Sequence, residues 1–189
     1  MCGSGTLILE GLTLFQPVFD RPFSFLSWKH TPKIFKSPVW KKNYRLLAPN
    51  SPFKLYRGFD LDEKVIGAAE QNTKDLLTQT GMPAPDIAFS VQNLFSESGQ
   101  IKVSGPCWCV CNPPYGERLR VQGQKEFSYQ NMLAQMIQNF SPQKLAILLP
   151  EKEAVRSLAV PSGYKSVASP TFSNGGLDVI FLVYEKVRT

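Results

Sequence analysis

Two adjacent prolines behind a short run of alternating residues constrain this chain more than any other feature. Trp108-Cys109-Val110-Cys111 has the alternation of a short, partly buried strand, and Asn112-Pro113-Pro114-Tyr115 follows where that strand must end. Proline fixes φ and has no N–H, and it disfavours helical geometry in the residue before it, so the backbone after Asn112 neither continues a ladder nor begins a helix. The result is a rigid, extended elbow. It presents the Asn112 side-chain carbonyl, a Pro113 main-chain carbonyl and the face of Tyr115 at one strand end. Two acceptors and a ring suit a flat amine, whose two N–H bonds can be accepted while its heterocycle stacks. The alternative is an ordinary turn with an exposed Asn and a half-buried Tyr, so the rest of the chain has to decide.

The order of the other segments sets that context. Met1-Cys2-Gly3-Ser4-Gly5-Thr6 precedes an apolar run from Leu7 to Leu12. Its glycines allow a tight turn, and a helix starting near Thr6 offers free N–H groups to a carboxylate. Phe53–Asp60 reads as a strand ending in an acid, and apolar residues at helical spacing run from Glu63 to Leu77. Either Asp60 or Asp62 can serve a ribose; we assign Asp60 to the sugar and Asp62 to the helix N-cap. Asp86–Gln92 reads as a third strand with Asn93 at its end, and the elbow strand is the fourth. A helix from about Glu126 to Asn139 has Tyr129, Met132, Leu133 and Met136 on one face. Strands at Lys144–Leu149, Tyr164–Ala168 and Leu177–Glu185 follow, with a short helix over Glu151–Leu158.

Strand and helix in alternation predict an α/β, Rossmann-like parallel sheet with helices on both faces, whose ligands lie outside the strand carboxyl ends. The glycine turn, Asp60, Asn93 and the elbow all fall on that rim. At 189 residues the chain suits a single domain, 1–189. Hydrophobic residues at 43% and charged residues at 19% place it among globular proteins, and no apolar run reaches membrane-spanning length. A cytoplasmic location without membrane attachment is expected.

The net charge of +6 is concentrated in residues 20–57. Arg21, Lys29, Lys33, Lys36, Lys41, Lys42, Arg45, Lys54 and Arg57 interleave there with Phe23, Phe25, Trp28, Phe35, Trp40 and Tyr44. This proline-broken excursion, with one short helix around Pro38–Tyr44, reads equally as a lid packed on the core edge and as a surface for RNA phosphates and exposed bases. Of the four cysteines, Cys107, Cys109 and Cys111 alternate along one strand. We expect successive side chains to leave on opposite faces and not to close round one zinc; with one histidine in the chain, no metal site is expected.

Three ordered segments carry a family resemblance: Met1–Thr6, Gly58-Phe59-Asp60-Leu61-Asp62, and Asn112-Pro113-Pro114-Tyr115-Gly116-Glu117-Arg118-Leu119. Together they resemble the RlmL-like ribosomal RNA guanine-N2 methyltransferases, class I enzymes that use S-adenosylmethionine and usually carry a THUMP domain. The long elbow string is specific, whereas its first four residues are shared with adenine-N6 and other amino methylases. The resemblance implies that Cys2, Gly3, Ser4, Gly5 and Thr6 line the methionine end of the cofactor. Asp60 would take the ribose hydroxyls, and Asn93 would lie beside the adenine. Asn112, Pro113, Pro114 and Tyr115 would receive the target amine, with Asn112 also near the cofactor. Where the family has an acid at the adenine position this chain has Asn93, whose amide oxygen can still accept from an amino group. The family motif begins with a hydrophobic strand and Asp-Pro, and this chain begins inside it, so the first strand is expected to be missing. Two other functions stay open: a truncated, non-catalytic RNA-binding module, and an amino methylase acting on transfer-RNA guanine, DNA adenine or protein glutamine. The oligomeric state is not readable.

Overall fold

In the computed structural model, residues 1–15, 27–37, 39, 52–80, 85–96, 105–114, 128–152 and 158–188 are described. Contacts divide the chain into two units, Cys2–Val91 and Gln92–Thr189, the latter joined by Met1.

In the first unit, α1 (Thr6–Phe15) follows the glycine turn. The strand β1 (Leu55–Asp60), the helix α2 (Glu63–Thr80) and the strand β2 (Asp86–Val91) form a β-α-β unit whose two strands pair in parallel, Leu55 opposite Asp86 and Asp60 opposite Val91. Parallel neighbours need such a crossover. The apolar side of α2 carries Ile66 and Ala69 inward, and Leu12 of α1 is likewise buried. Asp62 caps α2 by accepting the Lys64 N–H at 2.9 Å, as the sequence predicts. A 3-10 turn at Lys33–Lys36 lies in the basic excursion; most of the predicted helix at 38–44 falls outside the described residues.

In the second unit, β3 (Trp108–Cys111) pairs in parallel with β4 (Lys144–Pro150) through α3 (Tyr129–Phe140). Ser128 caps α3 by accepting the Asn131 N–H, and Ser141 ends it at φ 43 ahead of Pro142. Tyr129, Met132, Leu133 and Met136 face Leu145, Ile147 and Leu149, which alternate along β4 as one buried row. Of the predicted helix at 151–158, residues 151, 152 and 158 are described; the first two are helical and the last is not.

Two expectations need correction. The sheet is mixed, not parallel: β7 (Leu177–Lys186) runs antiparallel to β4, to β5 (Tyr164–Ala168) and to β6 (Thr171–Asn174), a strand the sequence reading missed. For β5 and β6 the physical reason is the two-residue Gly175-Gly176 turn, both glycines at positive φ (60° and 83°), which turns the chain straight back on itself into β7. The cysteines also share a face. Residues two apart on a strand point the same way, so Cys109 and Cys111 turn inward while Trp108 and Val110 are exposed. Among the described residues, no group of three or more His, Cys, Asp or Glu side chains is placed to hold a metal ion.

Candidate functional site

The first unit places the glycine turn against the end of β1. Cys2 N–H donates to the Phe59 carbonyl at 2.8 Å, and Gly3 N–H donates to Asp60 Oδ2 at 2.9 Å. Asp60 Oδ1 accepts the Leu61 N–H at 2.8 Å. Half-burial opposes the charge on this carboxyl, yet the bond from Gly3 N–H, the N-terminal ammonium and the Asp62 N–H together hold it below its ordinary value. Oδ1 also accepts the Asp62 N–H at 3.3 Å, so a bound hydroxyl would share this carboxylate with the turn. Asp60 is therefore both the latch of the turn and a candidate ligand at its mouth.

Glycine is required at two points for different reasons. Gly3, at φ 57, has nothing within 4 Å of where a Cβ would project, so the turn is open on that side. Gly5, at φ 83, is backed by the Phe89 ring at 3.1 Å and Ala69 at 3.3 Å. Phe89 also fills the space over Gly58, where an added Cβ would lie 2.6 Å from its Cε1 atom and 2.9 Å from Ile8 Cδ1. From α2, Asn72 donates through Nδ2 to the Ser4 carbonyl at 3.0 Å. The sequence reading missed Asn72 and Phe89. Both act through space on a turn that lies more than sixty residues away along the chain, and neither belongs to a local motif.

No acidic residue occupies the first turn of α1, so its N-terminal dipole is not neutralised locally. Ser4 and Thr6 hydroxyls lie 3.3 Å apart at that end. The turn, the helix start and Asp60 thus join donors, a positive dipole end and a carboxylate around an open side. That set fits a molecule carrying an amino-acid carboxylate and a ribose.

The second unit places the elbow at the end of β3. Asn112 is exposed while Pro113 beside it is fully buried and Pro114 half-buried. A buried proline under an exposed amide fixes the direction of the strand end without using the side chain that would bind. Tyr115 and the Gly116–Leu119 string lie outside the described residues. Asn93 is half-buried, and its Oδ1 accepts the Phe95 N–H at 3.0 Å. This is a turn-forming role of the kind Asn often takes; it occupies part of the oxygen assigned to adenine.

Of the basic excursion, the described part exposes Trp28, Lys29, Lys33 and Lys36. Arg57 pairs with Asp86 at 2.7 Å and belongs to the β1–β2 edge.

Comparison with known proteins gives the context for these residues. The chain is similar to the ribosomal RNA large subunit methyltransferase K/L of Marinobacter nauticus, at 26% identity over 98% of this chain and 25% of that protein. It is also similar to the protein of the same name from Acinetobacter baylyi, at 30% identity over 84% of this chain and 22% of that one. The chain thus spans about a quarter of the length of these relatives. Among solved structures it is similar to SMU.472 complexed with SAH, at a TM-score of 0.61 and 17% identity, over 100% of this chain and 47% of that one. That likeness shows the fold, which is that of the class I methyltransferases. The family model described as RMKL-like, methyltransferase domain, matches residues 1–178, and the chain belongs to that family.

Proposed function

We propose that this chain is the catalytic domain, 1–189, of an S-adenosylmethionine-dependent methyltransferase that modifies the exocyclic N2 amine of a guanine in ribosomal RNA. The observation that carries the reading is the latch between Gly3 and Asp60, a glycine turn with one open side held by a strand-end carboxylate. Support also comes from family membership, from the ribosomal RNA named for the relatives and from the SAH bound in the SMU.472 structure.

S-adenosylmethionine, when bound, supplies a methyl group on a positively charged sulfur. Cys2, Gly3, Ser4, Gly5 and Thr6 would hold its amino-acid end, Asp60 its ribose and Asn93 its adenine. The chain's own contribution at the elbow is alignment. Asn112 Oδ1 and the Pro113 carbonyl accept the two N–H bonds of the amine, which turns its lone pair out of conjugation and toward the donor. Tyr115 stacks the base. Little acid–base help is needed beyond accepting the departing proton, so positioning supplies most of the effect. The base must leave its stack or be unpaired already. Exposed Trp28 and Lys29, Lys33 and Lys36 suit RNA binding by residues 21–57. Cytoplasmic action on RNA follows from the same reading, and among the described residues no helix is long and apolar enough to cross a membrane.

The test is nucleoside analysis of ribosomal RNA after incubation with the chain and S-adenosylmethionine, with Asn112→Ala as control. We expect N2-methylguanosine from the native chain, and from the variant retained cofactor binding with transfer reduced about a hundredfold. The same exposed lysines favour one rival, an RNA-binding module without catalysis. RNA binding with no heat on cofactor titration would establish that rival instead. A methylated transfer-RNA guanine or DNA adenine would move the substrate to the amino methylases that share the elbow.

A further inference from the structure

The glycine turn is held by β1, by β2 and by α2, and the chemistry above gives the bond from α2 no part. On β1, the Phe59 carbonyl accepts from Cys2 N–H and Asp60 accepts from Gly3 N–H. Phe89 of β2 and Ala69 of α2 back Gly5. From α2, Asn72 donates through Nδ2 to the Ser4 carbonyl at 3.0 Å, across 68 positions of chain. Asparagine is a poor helix former, and here it lies inside an 18-residue helix. Three neighbours on α2 use their side chains within the helix: Thr73 donates to the Ala69 carbonyl, Thr80 to the Leu76 carbonyl and Gln71 to Asp75. Asn72 reaches out to another segment instead.

Ser4 is where the turn needs such a restraint. It lies between Gly3 at φ 57 and Gly5 at φ 83, and glycine visits both signs of φ about equally. Nothing lies within 4 Å of where a Gly3 Cβ would project, so packing does not hold the turn on that side. The Ser4–Gly5 peptide is planar, with its C=O and N–H directed oppositely. Its N–H donates to the Cys2 carbonyl at 3.1 Å and its C=O accepts from Asn72, so the plane is pinned at both ends. The first N–H groups of α1, which have no partner within the helix, follow immediately, and the setting of this plane aims them. Ala69 and Asn72 lie three residues apart on one face of α2. The small side chain lets the turn approach, and the amide holds it.

We propose that Asn72 is a positioning residue for cofactor binding: it presets the Ser4–Gly5 peptide, and through it the donors of the turn, for the amino-acid carboxylate of S-adenosylmethionine. The inference rests on the reading of the turn as the site of that cofactor. Asn72 itself makes no contact with the ligand. Its effect is preorganisation, since a peptide fixed beforehand needs no ordering when the ligand arrives. An open groove of about 410 Å³ is lined by Ser4, Thr6, Asn72 and Gln79 among others. It gives a longer amide at position 72 room to reach the same carbonyl.

The test uses the full chain, with S-adenosylhomocysteine titrated by calorimetry and stability read by urea denaturation. Asn72→Leu removes the donor at similar volume and is the better helix former, whereas Asn72→Gln keeps the donor. We expect Asn72→Leu to bind about fivefold more weakly, within the range of one neutral hydrogen bond, at an unchanged or higher urea midpoint. Asn72→Gln should recover affinity to within about twofold of the native chain. Without ligand, amide exchange at Gly5 should quicken in Asn72→Leu and return toward native in Asn72→Gln. Equal affinities for the native chain and Asn72→Leu overturn the inference and leave the cofactor reading standing. So does a weaker affinity that tracks a lowered urea midpoint, or one that Asn72→Gln does not restore. No heat from the native chain overturns both.

Discussion

Asp60 has two tasks that share one carboxylate: it holds the glycine turn through Gly3 N–H and stands at the mouth of that turn. Replacing it by the near-isosteric Asn removes the charge and one acceptor. Charge-assisted hydrogen bonds contribute about 1.5–3 kcal/mol, so Asp60→Asn should weaken binding of S-adenosylhomocysteine about tenfold or more by calorimetry; unchanged affinity would remove Asp60 from the site. Asp62 was separable from it in the sequence because a helix begins immediately afterwards, and the observed bond to Lys64 N–H agrees. The faces of the cysteines were misread because the spacing of two was taken as alternation between faces, when it is the period of a single face. Gly58 gave no local sign of its role. Its requirement comes from Phe89, thirty-one residues on, whose ring takes the space a Cβ would need. Gly58→Ala should cost about 1–3 kcal/mol in urea denaturation, and Gly58→Ala with Phe89→Leu should recover much of it.

At the scale of elements, the β1–α2–β2 and β3–α3–β4 units were legible because each has a single apolar period bounded by a cap or a proline. In α3, Tyr129, Met132, Leu133 and Met136 lie at the helical spacing the sequence shows, and all four are buried. Leu133 is fully buried against the β4 row. Leu133→Ala should therefore cost about 2–5 kcal/mol, seen as a lower denaturation midpoint with an unchanged slope; a change below 1 kcal/mol would mean that α3 does not close this core. The β5–β6–β7 arrangement was less legible. β5 and β6 are short and mostly exposed, and β6, which leads into the Gly175-Gly176 turn, was not read as a strand. Pairing direction there follows from loop length, a constraint that residue periodicity does not carry.

For the whole chain, charge governs two behaviours. Asp60 sits below its ordinary 3.8. A depressed carboxyl contributes its stability in full above the unfolded value, and that contribution is lost as pH falls through the lower folded value. Stability of the chain should thus fall below about pH 3.8 with a steeper slope than in Asp60→Asn; equal slopes would show that the latch does not discriminate between charge states. The concentration of positive charge in residues 20–57 predicts salt-dependent RNA affinity, and the log–log slope should fall by about two on Lys33→Ala with Lys36→Ala if both contact phosphate. The central claim is methyl transfer to a guanine amine. Its most direct measurement is mass-spectrometric nucleoside analysis of unmodified ribosomal RNA incubated with S-adenosylmethionine and either the native chain or Asn112→Ala. The account predicts N2-methylguanosine with the native chain and about a hundredfold less with the variant; equal yields, or a methyl group found only on another atom, would contradict it.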